Sequence, residues 1–200
     1  MKILKFQDEV AWKEARLGKI TGTRLYDIIG KRDGSRKIGF YEILAERIAI
    51  PASEEGAMDR GKRLEDIAAE KFSKVIKKKV DNELVIWCRD DNENIAVSPD
   101  GSIGKDTAVE IKCLASSRHL EAYLTKKIPS EYEYQVLQYF ITNDKLKKLY
   151  FVFYDPRLPK IDLFWLEVKR KDKEEDIKEY LFLEKETLKE IDRLENELTF

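Results

Sequence analysis

The stretch Thr107-Ala108-Val109-Glu110-Ile111-Lys112-Cys113 limits this chain's possible folds more than any other segment. It alternates in character and follows a turn holding Gly101 and Gly104, so it reads as a β-strand. Strand side chains leave on alternate faces. Glu110 and Lys112 therefore share one face, and Ile111 points the other way, into the core. Upstream, Ser98-Pro99-Asp100-Gly101 follows another strand candidate, Ile95-Ala96-Val97. The turn over 101–106 can return Asp100 to the side of Glu110, so that two carboxylates and an ammonium meet at one spot.

Two carboxylates held close repel each other, and a divalent cation relieves the repulsion. Hard oxygen ligands with open positions suit magnesium, which keeps several waters and takes phosphate oxygens as its remaining ligands. A lysine beside the ion can orient a water, or deprotonate it if its pKa is lowered. Such an assembly is suited to phosphodiester hydrolysis. Taken alone, the pattern equally describes a surface turn beside a strand salt bridge. Three features favour a site. Pro99 and Gly101 bracket Asp100 in a turn, the strand keeps its charges on one face, and a further acid, Glu65, follows Arg60-Gly61-Lys62-Arg63 in a helix.

Around this hairpin the first third reads as helical. Residues 10–17 form a short amphipathic piece. Thr21-Gly22-Thr23 caps a helix with Leu25, Ile28 and Ile29 on one face and Gly30 as its stop. A polar loop over 31–39 leads to a helix over 40–49, ended by Pro51. A longer helix begins between 53 and 58 and carries Leu64, Ile67, Ala68, Phe72, Val75 and Ile76 at helical spacing. Residues 84–88 form a strand candidate. Helices over 117–126 and 132–143 follow the hairpin. Strands over 149–154 and 161–168 pair, and a charged helix over 173–198 closes the chain. The expected fold is α/β: one domain over residues 1–200, with a central mixed sheet flanked by helices.

Composition narrows the function. Charged residues make up 38% of the chain, above the usual ~25%, and most sit on helical stretches. The 38 basic and 39 acidic residues nearly cancel, unlike a binder that is basic overall. Lys77-Lys78-Lys79, Lys126-Lys127 and the lysines at 145, 147 and 148 serve either a groove or plain solubility. With one histidine, His119, acyl-transfer triads have almost no base to use. His119 is expected as a surface residue at a helix start, with DNA contact as the alternative. Cys88 and Cys113 are too few for a four-cysteine zinc or iron–sulfur site, and they read as thiols in a reducing cytosol. With no signal-peptide core and no membrane-length run, a cytoplasmic protein is expected.

An ordered series of motifs runs from about Trp12 to Arg157. It comprises Trp12 with Arg16-Leu17-Gly18-Lys19-Ile20-Thr21-Gly22-Thr23, Tyr41-Glu42-Ile43-Leu44-Ala45-Glu46 and Gly61-Lys62-Arg63-Leu64-Glu65. Ser98-Pro99-Asp100-Gly101, Glu110-Ile111-Lys112-Cys113, Ser117-Arg118, Tyr134-Gln135-Val136 and Tyr154-Asp155-Pro156-Arg157 complete it. At these residues the chain resembles the phage lambda exonuclease family, the YqaJ-type viral recombinases within the PD-(D/E)xK nucleases. The resemblance implies a restriction-endonuclease-like core. It implies that Asp100, Glu110 and the Ile111 carbonyl hold magnesium, with manganese able to substitute. Glu65 would take a second ion or a water on it. Lys112 would position or activate the attacking water, supported by Gln135. Tyr139, four residues after Gln135, shares its helix face and completes a Gln-x-x-x-Tyr pattern; core packing is the equal alternative.

The resemblance also implies a 5′-phosphate anchor at Arg16 and Thr23. The helix opened by Thr21-Gly22-Thr23 offers free N–H groups and a dipole that favour an anion, and Arg16 adds a bidentate cation. A simple cap beside a surface arginine is the alternative. Arg118 and Thr21 are candidate phosphate contacts, and Tyr139 is a candidate DNA contact. Trp12, Tyr123, Tyr132 and Tyr134 read as packing. By resemblance the activity is a 5′-to-3′ exonuclease on linear double-stranded DNA, leaving 3′ overhangs for a single-strand annealing protein and working as a ring-shaped homotrimer. The alternatives are a DNA endonuclease of the same superfamily, or a non-catalytic DNA-binding module.

Overall fold

A strand buried on both faces needs helices on both sides of its sheet, and all of Thr107–Lys112 is buried except its last residue. The computed structural model describes Ala11, Ser35 and residues 37–49, 57–83 and 85–199. Helix α1 spans Ile38–Ile48 and α2 spans Ala57–Ile76. Strands β1 (Trp87–Arg89) and β2 (Asn92–Val97) make an antiparallel ribbon of their own. Strands β3 (Gly101–Ile103) and β4 (Thr107–Lys112) form a hairpin. Helices α3 (Ser116–Thr125) and α4 (Glu133–Thr142), the latter led in by a 3-10 turn over Ser130–Tyr132, cross to β5 (Lys148–Tyr154). Strand β6 (Leu163–Lys169) and helix α5 (Glu174–Thr199) follow.

The four-stranded sheet runs β3-β4-β5-β6. Its central pair, β4 and β5, is parallel, and both flanking pairs are antiparallel. This is the mixed sheet the alternating segments call for. Period two divides the side chains between two cores. Ala108, Phe151 and Phe153 join the larger core with Val136, Leu137, Tyr139 and Phe140 of α4. Val109, Ile111 and Val152 join a second core with Leu64, Ala68 and Phe72 of α2. Those three α2 residues stand four apart and form one stripe down the helix. Ile67 and Val75, counted on the same face from the sequence, are instead about half exposed. Each sits beside the stripe, not on it.

Three expectations change. The segment 101–106 is not only a turn: it contains β3, the true hairpin partner of β4. Strand β2, which carries Ile95-Ala96-Val97, pairs with β1 in the separate ribbon. Val85 and Ile86, expected in the first strand, precede it and are exposed. Of the expected helix over 10–17 only Ala11 is described, and it is helical; the expected helix at Thr21-Gly22-Thr23 falls outside the described residues. Among the described residues no helix is long and apolar enough to cross a membrane.

The hairpin is anchored behind the site. Asp81 exchanges backbone hydrogen bonds with Ser102, at 2.8 and 2.7 Å. This brings the chain at Val80 and Asp81 against buried Gly101. A Cβ at 101 would lie 2.6 Å from Val80 Cγ1 and 3.2 Å from the Asp81 carbonyl oxygen. Gly101→Ala is therefore expected to cost about 1–3 kcal/mol of stability, read from urea denaturation, because the buried, β-branched Val80 side chain has little room to move and the Asp81 carbonyl is tied to Ser102. A wild-type midpoint would show that the contact relaxes freely.

Candidate active site

Glu110 of β4 is buried, 1% exposed. Alternation along β4 sends its side chain towards α4 and not towards solvent. A buried carboxylate must be hydrogen-bonded, and α4 supplies two donors one turn apart. Gln135 Nε2 donates to Oε1 at 2.7 Å, and the Tyr139 hydroxyl donates to Oε2. Lys112, two residues along the same strand face, places Nζ 2.6 Å from Oε1. The expectation that Glu110 and Lys112 share a face is met, but that face is packed beneath a helix.

Asp100 comes from the other arm of the hairpin. Gly101 faces Val109 in the register, so the next position, Asp100, comes opposite Glu110. Its Oδ2 accepts the Ile111 N–H at 2.6 Å. In an extended strand a residue's N–H and C=O leave on the same edge, so the Ile111 carbonyl is directed to the edge where Asp100 sits. Burial, then the neighbouring Glu110 charge and the more distant Glu65 charge, push the Asp100 carboxyl up to about 7 against the pull of the Ile111 N–H and Lys112. For Lys112, burial disfavours the ammonium, yet the Glu110 charge and hydrogen bond outweigh it and hold its pKa above the ordinary lysine value. In this state Lys112 is a fixed positive charge and not a ready base. Burial and then Glu110 also push the Tyr139 hydroxyl well up, so it remains a donor.

Glu65 of α2 lines a cleft of about 370 Å³ together with Ser98, Pro99 and Asp100. Its charge reaches Asp100, but the acids are not crowded into one cage. Among the described residues no three His, Cys, Asp or Glu side chains gather closely enough to hold an ion unaided. The donor set is two carboxylates, one buried beneath α4 and one raised in pKa by burial and by its acidic neighbours, and a backbone carbonyl at the same strand edge. Glu110 has about four lone-pair positions, and three are engaged. That sparse oxygen set fits magnesium, which keeps several of its waters.

The other candidates are placed as follows. Arg16, Thr21 and Thr23 lie outside the described residues. Arg118 is engaged by Glu121 at 2.6 Å and Glu131 at 2.7 Å, so a phosphate there competes with two carboxylates. Tyr139 is fully buried; it faces Glu110, and its expected place among DNA contacts gives way to a place under the site. His119 is also fully buried, not on the surface. Its Nε2 lies 2.8 Å from the Ile161 carbonyl oxygen, and its ring meets Phe164 edge-on. Burial lowers its pKa.

Two groups were not readable as parts of the site. Asp155, fully buried, accepts from Ser116 Oγ at 2.5 Å and from Arg157 Nε at 2.8 Å. Arg157 also reaches the Leu114 carbonyl, so this cluster ties the end of β5 to the exit of β4 and the start of α3. Burial raises the Asp155 pKa, but Arg157 and Ser116 bring it below the usual carboxylate value. The other is Tyr132, whose ring lies under the Lys112 ammonium. It stands three residues before Gln135, and that spacing was the available signal.

Comparisons with known proteins bear on the family and the fold. The model of the YqaJ-like viral recombinase domain matches residues 11–145. The crystal structure of LHK-Exo in complex with dAMP is similar at a TM-score of 0.61 and 26% identity, over 95% of this chain and 98% of that one. A crystal structure of the same alkaline exonuclease, from Laribacter hongkongensis, gives a TM-score of 0.56 and 25% identity, over 94% and 99%. No curated protein sequence matches the chain.

The Asp100 shift sets a pH dependence. Its folded pKa is raised, so between about pH 4 and 7 the unfolded state holds fewer protons than the folded one. Stability falls as pH rises through that window. Metal-free protein is expected to lose urea resistance from pH 4 towards 7, and Asp100→Asn to flatten the slope. An unchanged slope in the variant would assign the dependence elsewhere.

Proposed function

Because the chain belongs to the YqaJ-like viral recombinase domain family, a family of nucleases, we propose that it is a magnesium-dependent deoxyribonuclease. It digests one strand of linear double-stranded DNA from the 5′ end and leaves 3′ overhangs for a single-strand annealing partner. The observation that carries this reading is the juxtaposition of Asp100, Glu110 and Lys112, with Glu110 buried and held by α4. The similarity to an alkaline exonuclease structure over nearly the whole chain supports the exonuclease class.

In this reading Asp100, Glu110 and the Ile111 carbonyl hold the ion, and Glu65 serves a second one from the cleft wall. A bound magnesium ion polarises a phosphate, lowers the pKa of water and stabilises the leaving oxygen. Gln135 and Tyr139 fix the Glu110 carboxylate so that it need not reorganise during reaction. Lys112, held charged, orients the incoming water and offsets the negative charge that builds on the phosphate. Arg16, Thr21 and Thr23 would anchor the 5′ phosphate. A ring of three copies enclosing the duplex would give processivity without a basic surface, in keeping with the near-zero net charge.

The test is digestion of linear duplex labelled at its 5′ or 3′ ends, set beside a covalently closed circle. Magnesium-dependent release of 5′ nucleotides, with the circle intact, is expected. Asp100→Ala and Lys112→Ala are each expected to lower the rate at least about a hundredfold in a protein that still folds, Lys112→Ala being the less stable because it leaves Glu110 short of a partner. Cutting of the circle would make the enzyme an endonuclease, and full activity in both variants would remove the assigned site.

A further inference from the structure

A lysine beside two carboxylates is useful only if its ammonium stays where the chemistry needs it. Lys112 has a long, flexible stem, and its side chain is 23% exposed. Its ion pair with Glu110 is one restraint. The second comes from a different element. The Lys112 Nζ lies 5.1 Å from the centre of the Tyr132 ring, within the ~6 Å over which a ring face attracts a cation.

The ring is itself fixed. It leans on Phe151 of β5 with centroids 5.7 Å apart. Tyr132 ends the 3-10 turn over Ser130–Tyr132 and stands directly before α4. The preceding residue, Glu131, is paired by Arg118 of α3, which also holds Glu121. Tyr132, Gln135 and Tyr139 recur at spacings of three and four, so one side of this segment addresses both charged groups of β4. Tyr132 meets the ammonium; Gln135 and Tyr139 meet the carboxylate.

We propose that Tyr132 is a positioning residue for Lys112, its ring face holding the ammonium in register with the Glu110 carboxylate. The inference rests on the nuclease reading for its catalytic consequence. The working feature is the aromatic face and not the hydroxyl, and substrate affinity does not depend on it.

The test uses full-length protein. Tyr132→Leu is expected to lower kcat about tenfold with KM unchanged within about twofold, and Tyr132→Phe, which keeps the face, to stay within about twofold of wild type in both. If Tyr132→Leu does not fold, fluorinated phenylalanines at 132 keep the shape and withdraw ring charge; each added fluorine is then expected to lower kcat further. Wild-type kcat in Tyr132→Leu, equal losses in the Phe and Leu variants, a loss confined to KM, or a flat fluorine series would each overturn the proposal. A metal-free urea-denaturation cycle with Lys112→Met reads the same contact without catalysis. Removing ring electron density, by Tyr132→Leu or by full fluorination, should shift the midpoint less when Lys112→Met is already present, and equal shifts would overturn the contact. Absence of cleavage by wild type would refute the nuclease reading alone, leaving this cycle to decide for the ring.

Discussion

A carboxylate in the middle of a sheet, with its face covered by a helix, is the condition around which this molecule is organised. Burying an ionised carboxylate costs several kcal/mol unless hydrogen bonds and an opposite charge compensate. Glu110 receives both: donors from Gln135 and Tyr139 and the ammonium of Lys112. The compensation fixes the register of α4 on the sheet. Val136, Leu137, Phe140 and Ile141 of that helix pack into the larger core, so the apolar stripe and the two polar donors must be satisfied by one placement. Truncating a donor in such a network leaves a buried charge short of a partner, which is why fold and site are coupled here.

Against that fixed centre, Asp100 is the adjustable group. It sits on the edge hairpin, takes one backbone N–H, and is pushed towards neutrality by burial and by the two acids near it. A cation at this edge would reverse the penalty that burial and repulsion impose on its charge. The second core beneath, with Phe72 of α2 against Val109, Ile111 and Val152, and the close approach of Val80 to Gly101 hold that edge in place. The same helix α2 carries Glu65 to the cleft that Asp100 also lines, so its charge reaches Asp100 from the face of the sheet opposite Glu110.

Much of this was legible in the sequence. Strand β4 was, because its alternation is clean and its two charges stand at even spacing. The convergence of Asp100 on Glu110 was, because the glycine-bearing segment 101–106 can fold one arm back on the other, although the β3–β4 register and not a turn alone sets it. The pairing of Gln135 with the site was legible only through the family motifs; nothing in local periodicity marks a glutamine in an apolar helix as a ligand of a distant strand. Three things were hidden. Strand β3 is three residues long and lies inside a stretch that also contains turn residues, so composition favours the turn. The burial of His119 depends on Phe153 and Phe164, which come from later strands. The Tyr132–Lys112 contact joins elements twenty residues apart, and a tyrosine before a helix is otherwise only a packing residue.

The proposed divalent-cation site lies at the edge of the hairpin, between Asp100 and Glu110. Anomalous scattering from a crystal of the full chain soaked with manganese above pH 7 would reveal an ion there. The expected result is a peak bounded by the Asp100 and Glu110 carboxylates and the Ile111 carbonyl, absent from Glu110→Gln crystals treated alike. A peak elsewhere, or one that survives Glu110→Gln unchanged, would contradict it.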